Sequence, residues 1–291
     1  MRLENDFLEI IADEKGAELT SIKGKKDNIE YLWTADSQYW NRHAPILFPI
    51  VGKVKADKYR ALDKEYNLGQ HGFARDSKFQ VILVSRSKLI YRLASSEETL
   101  KKYPYQFQLD VEYSLSENNL EVTYKVRNTD NIKIFFSIGA HPGFSCPFME
   151  SETMEDYYLE FNEKERAEGK ILQAETGLLT EDSNLYLKNE NIINLHKDMF
   201  QKDALIFNNL KSTELSLKSY KNNKKLIVNF KGFPYLGIWS KPSGAPFICI
   251  EPWFGHADTL NFNGDFSEKP GIIGLEKDQE FICAYTITVE Q

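Results

Sequence analysis

The stretch "QLDVEYSLSENNLEVTYKVRNTD", residues 108–130, alternates apolar and polar side chains twice over. Leu109, Val111, Tyr113 and Leu115 lead into a Ser-Glu-Asn-Asn turn, and Leu120, Val122, Tyr124 and Val126 follow it. Successive side chains of an extended chain point to opposite faces. Period two on both sides of a turn signal therefore predicts an antiparallel hairpin with one face buried. After "RNTDN" a further alternation, Ile132, Ile134, Phe136 and Ile138, runs straight into His141, so that histidine is expected to close a strand.

Short strand-like runs recur along the chain, in "FLEIIA", "FQVILVS", "LIYRLAS", "ELSLKSY", "KLIVNF", "LGIWS", "FICIE" and "FICAYTITV", mostly punctuated by Gly, Asn, Asp or Ser. Amphipathic helical patterns are few; "SEETLKKY" and "NLHKDMF" are the best candidates. Many strands with few helices predict an all-β fold, a sandwich or a barrel. With no Pro- or Ser-rich linker and no fixed-period repeat, the 291 residues are expected to form a single domain, residues 1–291. The segment from Trp40 to Gly69, with two prolines and a hairpin-like "YRALDKEYNL", is either decoration or a wall of a binding site.

The net charge of −7 argues against a nucleic-acid partner, because displacing phosphate counterions needs concentrated Lys and Arg. "KGKKDN" and "KNNKK" are short enough to read as solvated loops. No apolar run approaches the roughly 18 residues that span a bilayer, and "MRLENDFLEI" is too charged for a secretory leader. The expected location is therefore cytoplasmic, without membrane association. Cys146, Cys249 and Cys283 have no CxxC spacing, so reduced thiols are expected rather than a disulfide framework or a zinc site.

Three places set an ionisable group at the edge of an apolar segment: "SIGAHPGF" (137–144), "QHGFAR" (70–75) and "FICIEPWF" (247–254). An imidazole titrates near neutrality and can give or take a proton, so His141, held rigidly at a strand end, is a candidate acid or base; the competing reading is a core histidine satisfied by backbone groups. His71 is either a loop histidine or one that meets a ligand. His256, in "WFGHAD", is expected at the rim. In "PFICIEPWF" Glu251 shares a strand face with Phe247 and Cys249; a carboxylate there needs either a raised pKa, which suits a general base, or a structural partner. Trp253 offers a flat apolar surface for a sugar ring, or is simply core. Asp203, in "KDALIFNNL", fits a cleft mouth and equally a turn cap. No HxxxH or HxH pair is present, and nucleophile elbows, phosphate loops and dinucleotide-binding glycines are absent, so neither a catalytic metal nor a cofactor is expected.

Taken in order, "QHGFARDSKFQV", "YPYQFQLDVEYSLSENNLEVTYKVRNT", "SIGAHPGF" and "FICIEPWFGHAD" resemble the aldose 1-epimerase, or galactose mutarotase, family, and within it the LacX-like branch. The resemblance runs over nearly the whole chain. It implies a single large antiparallel β-sandwich with a concave cleft that binds a free aldohexose and interconverts its α and β anomers. By the same resemblance His141 is the general acid at the ring oxygen and Glu251 the general base at the C1 hydroxyl. His71 then orients the ring and Asp203 contacts sugar hydroxyls. The family's substrate-contacting arginine has no clear counterpart in "VGKVKADKY", leaving Arg42, Lys53 and Arg75 as candidates to stand in for it.

Two rival functions remain open at this point. One is a hexose-6-phosphate 1-epimerase, for which the same three basic residues would supply a phosphate pocket. The other is a carbohydrate-binding or sensory module that keeps the sandwich without turnover.

Overall fold

The computed structural model describes residues 1–201, 203–242 and 244–291. Its main sheet is antiparallel throughout and begins at the short edge strand Ile46–Leu47. It then passes through Ile138–Ala140, Phe247–Phe254, Tyr235–Trp239, Leu205–Asn208 and Tyr157–Gln173. Beyond these come Glu214–Ser219, Lys225–Asn229, Glu280–Glu290, Asn119–Asn128, Phe107–Ser116, Lys88–Ala94 and Gln80–Val84. The fold is a large antiparallel β-sandwich with few short helices, and its main core cluster draws on residues from Leu3 to Val289.

The hairpin read from the alternation is present, Phe107–Ser116 with Asn119–Asn128, in the register that sets Val122 against Tyr113. Its inward side chains are fully covered, and Glu117 takes the positive φ of 50° that closes the tight turn. The polar face of these strands carries cross-strand ion pairs. Arg92 holds Asp110 through two nitrogens, at 2.7 and 2.8 Å, and Lys125 reaches Glu112 at 3.3 Å. Charges opposed in this way pin the register while the apolar face supplies the burial.

Two departures from the expected elements have clear causes. "NLHKDMF" is a succession of turns, with Met199 N–H donating to the His196 carbonyl at 3.1 Å, rather than a helix. The long hairpin Tyr157–Gln173 with Leu178–Asn194 escapes the alternation test because its inward positions include Glu165, Ala167 and Gly169, which are not aliphatic. Glu165 is buried at no cost in unpaired charge-bearing oxygen, since Oε1 accepts from the backbone N–H groups of Lys211 and Ser212 at 2.8 and 2.6 Å. Gly169 is small because the Tyr186 ring lies 2.7 Å from where a Cβ would stand. Of the helical candidates, "SEETLKKY" yields one short turn, Glu97–Leu100, capped by Ser96. The third alternation is split into Ile134–Phe136, paired with Ile273–Leu275, and Ile138–Ala140, which joins the main sheet.

That split is anchored by Asn128, which has no solvent exposure. Its amide donates to the carbonyls of Ile132 and Leu275, each at 2.8 Å, and accepts from Asp130 N–H at 2.8 Å. The turn it holds launches the chain towards His141. Asn128→Ala strands buried carbonyls and should lower stability by about 1–3 kcal/mol, read as an earlier midpoint in urea with an unchanged slope.

Candidate active site

Strand Phe247–Phe254 pairs with two short neighbours on one side, Ile138–Ala140 and Gly143–Ser145, and His141 lies in the break between them. The register that sets Gly139 against Trp253 and Gly143 against Cys249 puts His141 directly across from Glu251. Side chains opposed in an antiparallel ladder leave the sheet on the same face. Accordingly His141 Nε2 stands 3.3 Å from Glu251 Oε2, with both residues buried. They lie at the floor of a cavity of about 420 Å³ that His71, Arg75, Asp203 and Trp253 also line. Six residues singled out in the sequence, spread from position 71 to 253, thus converge on one hollow.

Each group is held by local structure. His71 adopts a positive φ of 65°, followed by Gly72 at 72°, a sharp bend that pushes the ring inward. Gly52 N–H donates to His71 Nδ1 at 3.1 Å, so that nitrogen carries no proton and Nε2 must bear it; the neutral ring is a hydrogen-bond donor. Its ring centre is 5.6 Å from that of His141, edge to face. Trp40 and Trp239 pack against the His141 ring with centroids 4.9 and 5.7 Å away. Asp203 also has a positive φ, 71°, and its Oδ1 accepts from the N–H of Ala204 at 2.8 Å, leaving Oδ2 free of that contact. Arg75 donates from Nη2 to the Gln70 carbonyl at 2.7 Å, while its buried Nε makes no hydrogen bond among the described residues and stands 3.9 Å from Asp76 Oδ2.

Trp253 lies flat because two glycines permit it. A Cβ on Gly139 would meet the indole at 2.6 Å and one on Gly237 at 2.5 Å. The indole N–H donates to the Ala140 carbonyl at 3.2 Å and locks the ring in place. Trp40 and Trp239 were not foreseen as cavity residues. A usable signal existed: the chain has four tryptophans, and three of them line this hollow. The segment Trp40–Gly69 is a wall in part, through Trp40, Val51 and Gly52.

Two of the basic candidates are placed elsewhere. The Arg42 guanidinium pairs with Asp76 at 3.0 Å, and the Lys53 amine faces Asp57 at 3.5 Å; neither side chain lines the cavity. Local acidic partners, invisible to a reading of spacing alone, draw both away. Arg75 is the basic residue that does line it. Burial and the nearby Arg42 charge bring its pKa down to about 10, so it remains cationic at neutral pH.

Burial dominates the titration of the central pair and acts in opposite directions on its members. It raises Glu251 well above the usual carboxylate range, with the Asp203 charge adding to the effect. It lowers His141 to about 3, helped by the positive charges of Arg75 and Arg42. His71 is likewise held neutral, by burial and by His141. Burial thus favours the uncharged form of each group, the carboxylic acid of Glu251 and the neutral imidazole of His141.

Cys249 sits on the same strand face, and ligand atoms of His141, Cys249 and Glu251 all lie within 4.8 Å of one another. They are the group among the described residues close enough to share a cation, brought together across two strands where no HxxxH spacing would reveal them. Burial keeps the Cys249 thiol protonated, so a metal would have to displace protons from both Cys249 and Glu251.

The shifted pair makes stability depend on pH. Glu251 binds its proton more tightly when folded, so its contribution is fully present below the unfolded value of 4.5 and is lost as pH rises above it. His141 acts in the opposite sense and in an overlapping window, costing stability as pH falls from 6.5 towards about 3. Glu251→Gln removes the first penalty. Its melting temperature should exceed that of the parent by more at about pH 8 than at about pH 4, measured by scanning calorimetry.

The aldose 1-epimerase family model matches residues 1–273. The chromosomally encoded LacX protein of Lactococcus lactis subsp. lactis is 38% identical over 296 residues, 99% of each chain. Among solved structures, a galactose mutarotase related enzyme from Lactobacillus acidophilus superposes with a TM-score of 0.94 at 34% identity, covering 100% of this chain and 97% of that one. A galactose mutarotase-like protein from Lactobacillus casei ATCC 334 gives 0.92 at 33% identity, covering 100% and 99%.

Proposed function

Because the chain belongs to the aldose 1-epimerase family, a role in sugar epimerisation follows, and we propose that its reaction is the interconversion of the α and β anomers of a free aldohexose at the His141–Glu251 pair. The observation that carries this reading is the 3.3 Å approach of an imidazole nitrogen and a carboxyl oxygen, both buried, at the floor of a cavity of sugar size.

Opening a cyclic hemiacetal removes a proton from the C1 hydroxyl and delivers one to the ring oxygen. Glu251 as carboxylate takes the first and His141 as imidazolium gives the second. The uncharged form favoured by burial differs from this reacting form only by one proton moved between the two groups, so sugar binding has to shift a proton, not recruit one. Once the ring is open, the proton lost by His141 has been replaced by one on Glu251. The aldehyde turns about the C1–C2 bond and recloses with the roles reversed, restoring the starting pair. Positioned acid and base groups typically contribute about 10²- to 10⁴-fold each. His71 Nε2–H is available to a sugar oxygen, Asp203 Oδ2 to a hydroxyl, and Trp253 supplies the apolar floor.

A second reading, a hexose 6-phosphate as substrate, has one observation in its favour. Arg75 lines the cavity as a cation whose buried Nε makes no hydrogen bond among the described residues, its nearest acid being Asp76 at 3.9 Å. Polarimetry on freshly dissolved α-D-glucose and α-D-glucose 6-phosphate decides between the two: a free-sugar enzyme shows the larger kcat/KM on glucose. His141→Asn and Glu251→Gln should each lower kcat by at least about 10²-fold while the far-ultraviolet circular dichroism is unchanged, and His71→Asn should act mainly on KM. Retention of most turnover in either of the first two variants contradicts the assignment. Measurable sugar affinity without any anomerisation would instead mark a binding module.

A further inference from the structure

One group at the cavity floor has no task in the acid–base chemistry. Cys249 lies two residues before Glu251 on strand Phe247–Phe254 and opposite Gly143, so its side chain leaves the sheet on the face that carries His141 and Glu251. It has no solvent exposure and does not line the hollow. It sits behind the surface that the pair presents, in a cluster with Trp33 and Phe247 against which Trp40 and Trp239 pack.

Unused ligand atoms set this cluster apart from the other buried histidines. His71 Nδ1 accepts from Gly52 N–H. His256, expected at the cavity rim, lines a separate hollow instead, with Nδ1 2.7 Å from the Ala257 carbonyl. Glu251 is 1% exposed, yet its Oε2 makes no hydrogen bond among the described residues and stands 3.3 Å from His141 Nε2; the buried Nδ1 of His141 is likewise without one. Buried polar atoms ordinarily have a partner. A sugar hydroxyl can reach Glu251 from the cavity, but ring opening gives no reason for a thiol beside it.

The donor set selects the cation. Imidazole, carboxylate and thiolate are ligands of zinc, whereas calcium and magnesium need several oxygens and would find one carboxyl here. Bond lengths of about 2.0–2.3 Å set the ligand atoms of a tetrahedral zinc site roughly 3.3–3.8 Å apart. The His141 and Glu251 atoms already stand at 3.3 Å, and the Cys249 sulfur lies within 4.8 Å of the ligand atoms of both, so a small side-chain rotation closes the set. Three protein ligands leave the fourth position on the side of the hollow, and the aromatic cluster behind Cys249 supplies an apolar shell. Binding releases the thiol and carboxyl protons to solvent.

We propose that His141, Cys249 and Glu251 form a zinc site whose occupation stops turnover. The inhibition rests on the proposed anomerase reading: bound zinc takes the lone pairs of the imidazole and the carboxylate, so neither can serve as acid or base. The site itself does not depend on that reading.

Cobalt(II) is the probe, because a thiolate ligand gives it a sulfur-to-metal charge-transfer band in the near ultraviolet that nitrogen and oxygen ligands do not. One equivalent of cobalt chloride added to the reduced, metal-free parent protein should produce that band, zinc sulfate should displace it, and Cys249→Ala should lack it. Glu251→Gln, whose fold is expected to be the more stable, should weaken cobalt binding at least about tenfold. In polarimetry on fresh α-D-glucose, buffered zinc should lower turnover of the parent at least about tenfold, with recovery on adding EDTA and no response to magnesium; half-inhibition of Cys249→Ala should need at least about tenfold more zinc. A parent protein that binds no cobalt, or binds it without the sulfur band, overturns the inference, as does a band that persists in Cys249→Ala or a zinc midpoint that this substitution leaves unchanged. If no sugar is anomerised but the cobalt band appears and is lost in Cys249→Ala, the anomerase reading fails and the metal site stands.

Discussion

One antiparallel ladder sets an imidazole across from a carboxyl and then buries both, and the remaining features of the site follow from that constraint. Desolvation disfavours charge on either group, favouring a protonated Glu251 carboxyl and a neutral His141 imidazole. A pair holding one proton suits a reaction that neither consumes nor releases protons. It also costs the fold stability in two overlapping pH windows of opposite sense, a burden that the extensive core of the sandwich absorbs.

The surrounding structure is organised to keep that ladder open on one face. The strand opposite Glu251 breaks after Ala140, freeing His141 from regular pairing while Gly143–Ser145 restores the register beyond it. Glycines at 139 and 237 remove the side chains that would otherwise lift Trp253 off the sheet. Positive φ values at His71 and Asp203 bend two separate loops inward. Strain of this kind is stored where rigid elements on either side can hold it, and here both bends deliver a polar side chain to the same hollow.

Much of this was legible in the sequence, for reasons that can be named. The hairpin at 107–128 has aliphatic and aromatic residues on every inward position, so its period showed. The hairpin at 157–194 buries Glu165, Ala167 and Gly169, and its period was hidden by residue types whose burial depends on a partner elsewhere. His141, Glu251, His71 and Asp203 each sit at the edge of an apolar run, a position that sequence alone exposes. The fate of the basic residues was not legible, because it is decided by acids close by: Asp76 takes Arg42, Asp57 takes Lys53, and Arg75 is left at the cavity. The Cys249 contact with the pair arises from strand register and has no signature along the chain.

The central claim is that burial keeps the His141–Glu251 pair uncharged, and it can be observed on the imidazole itself. In protein with ¹⁵N-labelled histidine, the ring nitrogens of His141 should keep the shifts of a neutral imidazole from about pH 5 to about pH 8, with Glu251→Gln altering them. A His141 that titrates as an ordinary surface histidine near its unperturbed value of 6.5, indifferent to the residue at 251, would contradict the account.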